Sequence, residues 1–178
     1  MRFLLLLAFI PFISTSQVIG SDNHGFQIKL ESEVNTDKAT AYQQLLNISQ
    51  WWDAEHTWFG SAEKLTIDAN VGGCFCEIDG DKQAMHMTVS YIDPNNEIRM
   101  TGGLGPLHLM GIQGGMSWKF ETIAPARTKI IFHYQASGYV NGGLTKLAPF
   151  VDKVQRLQMS RLTELLNTGK IVKQKPTQ

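Results

Sequence analysis

The chain has 178 residues, 43% of them hydrophobic, with 16 basic and 16 acidic side chains. This length suits one domain with a real core, and the hydrophobic share excludes a disordered chain. No dense basic patch interleaved with aromatics is present, which argues against a nucleic-acid partner.

The charge is unevenly spread. From Lys146 onward there are seven basic and two acidic residues; residues 21–145 hold eight basic and fourteen acidic ones. A C-terminal helix resting on an acidic body accounts for this split.

The start of the chain reads as an export signal. Arg2 precedes an apolar run from Phe3 to Ile13, and small residues follow in Ser14-Thr15-Ser16 and Val18-Ile19-Gly20. As a helix this run reaches about 16 Å, too short for a hydrocarbon core of about 30 Å. No cysteine stands near the expected cut, which argues against a lipid anchor. The reading is a signal peptide over 1–20, a domain over 21–169 and a flexible tail over 170–178. The mature protein is then exported, periplasmic or secreted, with no stable membrane insertion.

Phe26, Ile28 and Leu30 alternate with polar residues in a first strand. Thr36 can cap a short helix through Leu46 that turns Ala39, Tyr42, Leu45 and Leu46 inward. A second short helical turn covers Ile48 to Asp53 and includes Trp51-Trp52. A loop to Gly60 follows, then six strands in hairpin succession. Their inward residues include Leu65 and Ile67, then Met85, Met87, Val89 and Tyr91, then Ile98 and Met100. Met116, Trp118 and Phe120 follow, then Ile130, Phe132 and Tyr134. Short connections imply an antiparallel sheet. From Leu144 to Leu166 the spacing of Leu147, Phe150, Val151, Val154, Leu157, Leu162, Leu165 and Leu166 predicts one long helix with an apolar face. Pro149 fits its first turn and Gly169 its stop, while Lys153, Arg156, Ser160, Arg161 and Glu164 are expected in water. The fold class is α+β: seven antiparallel strands curved around a C-terminal helix, with two short helices after the first strand.

Particular residues sit on this element order. They are Trp51-Trp52, Val71-Gly72-Gly73-Cys74-Phe75-Cys76-Glu77, Leu104-Gly105-Pro106-Leu107, Met116-Ser117-Trp118-Lys119-Phe120-Glu121 and Gly138-Tyr139-Val140-Asn141-Gly142-Gly143-Leu144, the last running into Leu147 to Asp152. Together they resemble the START and birch-pollen-allergen superfamily, SRPBCC, over roughly residues 25–167. The nearest groups are the Hsp90-ATPase-activator-like and polyketide-cyclase-like ones. The resemblance implies a helix-grip fold with a cavity between sheet and helix. It does not imply one activity, because such a fold hosts carriers, cyclases and co-chaperones.

Gly72-Gly73 reads as geometry, where a bending strand has no room for a side chain. No lysine and no helix follow to make a phosphate loop. Cys74 and Cys76 are the only cysteines. Two residues apart on a strand, their Cα atoms lie about 6.5 Å from each other, near the limit for a bridge. Three readings stand: two buried free thiols, which is favoured, a labile redox pair, or a metal site completed by His56 or His86. No ligand spacing supports the last, so no metal or cofactor is assigned. Glu77 shares strand parity with Phe75, so it is either buried with it or solvated with it. His24 reads as part of a mobile lead-in and His133 as outward-facing. His56 and His108 lie on loops that could rim a cavity. No serine stands in a nucleophile setting.

The expected function is binding of a small hydrophobic or amphipathic ligand, with lipids among the candidates. The expected lining is Trp52, Phe75, Met87, Met116, Trp118, Phe132, Phe150, Val154 and Leu157. The alternatives are a cyclase- or isomerase-type enzyme using Glu77 or His56 as acid–base, and a protein-binding, co-chaperone-like module. The partner is thus a small apolar ligand, and no protein partner is identified. Enzymatic activity is left open, with binding preferred.

Overall fold

The computed structural model describes residues 16–171. The export signal expected over 1–20 lies outside these except for its last residues, as does most of the expected tail. Eight strands form one antiparallel sheet in the order β1-β2-β8-β7-β6-β5-β4-β3. They are β1 (Ser16–Ser21), β2 (Gly25–Val34), β3 (Leu65–Ile67), β4 (Cys74–Asp79), β5 (Lys82–Asp93), β6 (Glu97–Thr101), β7 (Gln113–Ala124) and β8 (Arg127–Ser137). The helices are α1 (Lys38–Leu46), α2 (Pro106–Leu109) and α3 (Ala148–Thr168). Single helical turns at Ile48–Gln50, Ala54–His56 and Ala62–Lys64 complete the path between β2 and β3.

One strand more than expected is present. It is β1, an edge strand paired with β2 over residues expected to end the export signal. A mature chain starting between Gln17 and Ser21 would lack from one to five of its six residues. No described helix is long and apolar enough to cross a membrane.

Local chemistry sets the helix ends. The N-cap of α1 is Asp37 rather than Thr36: Asp37 Oδ1 accepts the Thr40 amide at 3.0 Å, and its second oxygen accepts the Thr40 hydroxyl at 2.8 Å. Starting at Lys38 turns Ala41, Tyr42 and Leu45 inward and leaves Ala39 in solvent. Helix α3 has Pro149 in its first turn and ends at Gly169, whose φ of 71° is left-handed and suited to glycine.

Two bulges in β5 reset its alternation. Against β4, Phe75 pairs with Met87 but Cys76 with Met85, so His86 is the extra residue. Against β6, Val89 pairs with Met100 but Tyr91 with Arg99, so Ser90 is extra. A bulge bends the strand and re-aims its side chains. His86 and Met87 consequently both point inward, while Met85 is 53% exposed and Tyr91 also faces outward, under the Arg99 guanidinium. The expected inward placement of Met85 and Tyr91 is corrected by these insertions.

The core is built on Ile28, Leu30, Ile98, Met100, Met116, Trp118, Ile130, Phe132 and Tyr134 of the sheet, with Tyr42, Leu45 and Trp51 over them. Trp51 joins core to loop: its Nε1 donates to the Leu45 carbonyl at 3.2 Å, and its ring meets Trp118 and Trp52 edge-on. The C-terminal half of α3 packs on β1 and β2, fixed by a Ser32–Thr163 hydroxyl pair at 2.8 Å and by Asn167 accepting the Asn35 amide at 2.8 Å.

Gly73 is needed for close approach, although the obstacle is the turn before it rather than the helix. A Cβ there would lie 2.2 Å from the Asp68 carbonyl oxygen and 2.7 Å from that of Asn70. Gly73→Ala is expected to destabilise by about 1–3 kcal/mol, the usual cost of overpacking. Gly115→Ala, where nothing lies within 4 Å of the added carbon, should leave the melting temperature unchanged or raise it. Thermal unfolding of the two variants beside the parent checks both.

Candidate functional site

A cavity of about 390 Å³ lies under the N-terminal half of α3. Its walls come from four places. Trp52, Glu55, His56, Thr57 and Trp58 form one side; Leu104 to Leu107 and Met110 form the opposite one. Phe75 and His86 supply the sheet surface, and Leu147, Phe150, Val151, Val154 and Gln155 the helix. Most of this lining is apolar.

The segment from Trp51 to Phe59 is pinned from both sides. From the sheet, Glu77 Oε2 accepts the Trp58 amide at 2.8 Å and Oε1 the Phe59 amide at 2.6 Å. Glu77 is 0% exposed, so of the two readings open in the sequence the inward one holds. From the helix, Gln158 Oε1 accepts the Asp53 amide at 2.9 Å, and its nitrogen meets His56 Nδ1 at 3.1 Å. Arg161 Nε donates to the Trp51 carbonyl at 2.7 Å, while its NH1 lies 3.1 Å from Asp53 Oδ2. Arg161, expected in water, is thus a clamp. The buried side of α3 carries Asp152, Gln155 and Gln158 beside Ala148, Met159 and Leu162. Its apolar stripe of Leu147, Val151 and Val154 is only half-buried because it faces the cavity.

Two polar atoms in this setting lack partners. Gln155, 2% exposed, has Oε1 sealed with no hydrogen bond. His86, 6% exposed, has Nε2 equally unpartnered. Its nearest acceptor is Glu77 Oε2 at 3.5 Å, too long for a good hydrogen bond. The His86 ring also packs on Phe75, with centroids 4.9 Å apart. Burial pushes the His86 pKa below its ordinary value, the negative charge of Glu77 opposes this, and His108 adds a smaller push downward.

The residues expected to bind ligand divide into two groups. Trp52, Phe75, Phe150 and Val154 border the cavity. Met87, Met116, Trp118 and Phe132 are packed in the core, and Leu157 is half-buried on α3 outside the lining. Trp118 illustrates why: its ring is buried, 4.6 Å from Phe132 and 5.9 Å from Trp51, packed among other aromatics. Of the two acid–base candidates, His56 borders the cavity, whereas both Glu77 oxygens are taken by backbone amides. His108 is exposed on α2 and outside the lining. The sequence reading missed Gln155 entirely and considered His86 only as a metal ligand. Parity set by Met85 and Met87 would turn His86 outward, and no sequence signal marks the bulge.

Cys74 and Cys76 are joined as a disulfide, which corrects the expectation of two buried free thiols. They are half-buried on the face of β4 opposite Phe75 and Glu77. Their Cα atoms lie 5.3 Å apart, where the pairing of β4 with β5 shifts register. Among the described residues no group of three or more His, Cys, Asp or Glu side chains could hold a metal ion.

Two outcomes are expected. Glu77→Gln replaces one acceptor by a donor that faces a backbone amide. It should cost about 1.5–3 kcal/mol, the range for hydrogen bonds to charged groups, and speed hydrogen exchange at Trp58 and Phe59. The depressed His86 pKa also gives stability a pH dependence. Where the unfolded histidine is protonated and the folded one is not, the unfolded state binds more protons. Stability attributable to this group is therefore complete above the ordinary value of 6.5 and lost as pH falls through the folded pKa. Denaturant titrations of the parent and His86→Gln from neutral to mildly acidic pH should show a flatter dependence in the variant.

No family model matches the chain, and the search of curated proteins found no match to it. Solved structures do resemble it. A conserved protein of unknown function from Enterococcus faecalis aligns with a TM-score of 0.60 at 15% identity, over 92% of this chain and 82% of that one. CalU16 from Micromonospora echinospora gives 0.56 at 8% identity over 85% and 83%. The Aha1 dimer from Colwellia psychrerythraea gives 0.51 at 18% identity over 81% and 98%. At such identities the shared property is the fold, a large antiparallel sheet with one long C-terminal helix, consistent with the SRPBCC-like architecture that the motifs resemble.

Proposed function

We propose that this protein binds a small, mostly apolar molecule between the sheet and the N-terminal half of α3, as an exported carrier or sensor. The observation that carries the reading is the cavity of about 390 Å³, walled by aromatic and aliphatic side chains and held open by buried polar clamps. Small-molecule sites have this character: an apolar container with few polar groups inside. The structures that resemble this chain are consistent with a ligand-binding or cyclase-type fold and specify no function.

One observation favours a second reading. His86 is a histidine with a depressed pKa on the cavity wall, the kind of group an acid–base enzyme of cyclase or isomerase type would use. It replaces Glu77 as the candidate, and an enzyme would release a product chemically different from the molecule it takes up. A protein-binding role would draw on the mouth, where Trp58, Met110 and Phe150 are exposed, Phe150 to 69%.

Native mass spectrometry of the protein purified from an extracytoplasmic fraction is expected to show a co-purified small molecule. Apolar ligands should quench or shift tryptophan emission, since Trp52 and Trp58 border the cavity. A tenfold change in salt should leave the Kd within about twofold, because apolar contacts are not screened. Val154→Trp should fill the space and abolish binding while the fold melts cooperatively. Undiminished binding in that variant would move the site elsewhere and return the protein-binding reading to the front.

A further inference from the structure

We infer that the mouth of the cavity docks on a lipid bilayer containing anionic lipids, with the tips of Trp58, Leu109, Met110, Tyr139 and Phe150 dipping into it. This rests on the cavity being a ligand site and adds the surface that the site faces.

Three of these side chains, Trp58, Met110 and Phe150, border the cavity and are exposed all the same, so they stand on its rim. Leu109, next to Met110 at the end of α2, is 88% exposed. Tyr139 is 86% exposed and lies on the same side of the molecule. A Cβ on its neighbour Gly138 would meet the Cα of Ile112, just beyond α2, at 3.2 Å. Single apolar residues in solvent are ordinary. Several gathered round one opening form a patch of the kind that marks an interaction surface.

Composition and shape favour a bilayer over a second protein. Tryptophan and tyrosine have an apolar body and a polar tip, which suits the headgroup boundary. The side chains come from separate places: the turn around Trp58, α2, the β8–α3 connection and the first turn of α3. They surround a hole rather than pave a face. A protein seated on them would stop the opening through which ligand passes, whereas a bilayer covers the rim and dissolves apolar molecules. The charge points the same way. Lys153 follows Phe150 by one turn on the same side of α3, and Lys146 stands just before the helix; both are exposed. Their long stems let the ammonium groups reach headgroups while Phe150 goes deeper. Glu55 is the acidic residue among those bordering the cavity, so the lysines beside the mouth outnumber it. A second copy set mouth to mouth would oppose these lysines to their own counterparts.

The test is co-sedimentation with vesicles of phosphatidylcholine, alone or mixed with phosphatidylglycerol, at low salt. The protein is expected to bind both, the mixed vesicles about tenfold more tightly. Trp51, Trp52 and Trp118 are buried and Trp58 is exposed, so tryptophan emission should shift to the blue on binding and Trp58→Phe should remove the shift. Leu109 and Tyr139 border neither cavity nor core. The double variant Leu109→Ser, Tyr139→Ser should therefore keep the parent's melting temperature and its affinity for naphthalene, while vesicle binding falls about tenfold. Lys146→Gln with Lys153→Gln should erase the preference for mixed vesicles. Absence of binding to either kind of vesicle would overturn this inference. So would vesicle binding undiminished in the serine variant, a preference that survives loss of both lysines, or a blue shift that survives Trp58→Phe. Naphthalene binding beside any of these would leave the carrier reading intact. Vesicle binding by a protein that takes up no naphthalene would sink the carrier reading alone.

Discussion

A carboxylate shut away from water must have its charge met by donors, and Glu77 meets it with the amides of Trp58 and Phe59. Those two bonds tie β4 to the segment that walls the cavity. The same segment is tied to α3 through Gln158 and Arg161. An apolar hollow between a sheet and a helix tends to collapse, because each wall gains by meeting the other. Here the intervening segment is fastened on both sides by hydrogen bonds of fixed length, so neither wall can close on it. The space is held open by polar interactions and lined by apolar ones.

This explains an inversion on α3. A helix resting on a solid core buries its leucines and exposes its glutamines. In its N-terminal half α3 buries Asp152, Gln155 and Gln158 while Leu147, Val151 and Val154 stay half-open. Gln158 is inward because it clamps, and the buried Asp152 has its charge met in part by Arg156 one turn on. Further along, where α3 meets β1 and β2, Met159 and Leu162 are buried in the ordinary way. The change from inverted to ordinary burial along one helix marks where the cavity ends and the core begins.

Periodicity made most of the fold legible, and its failures have a common cause. The alternation in β2, β7 and β8 matches the structure because these strands pair in unbroken register through their middle stretches. It fails in β5, where each inserted residue exchanges the two faces from that point on. Plain alternation therefore puts Met85 and Tyr91 inward and turns His86 outward, the reverse of what the bulged strand does. β1 was hidden differently: its short apolar stretch follows a longer one that reads as part of the same signal. Among expected lining residues, Met116, Trp118 and Phe132 do point to the inner face. Parity gives the face of a sheet, but whether a side chain meets packing or empty space depends on what lies across from it.

The same distinction separates what the fold says from what the site says. Structural neighbours at 8–18% identity share a sheet, a helix and the possibility of a hollow between them. None of that specifies contents, because a scaffold of this kind serves several functions. In this chain the clamps Glu77, Gln158 and Arg161 have their partners within the protein, and they account for the container. Gln155 and His86 share the clamps' burial but not their completeness. The bulge that turns His86 inward beside Met87 has a second role. Besides bending β5, it brings the His86 ring onto Phe75 and to within 3.5 Å of the Glu77 carboxylate, at the border of an apolar space.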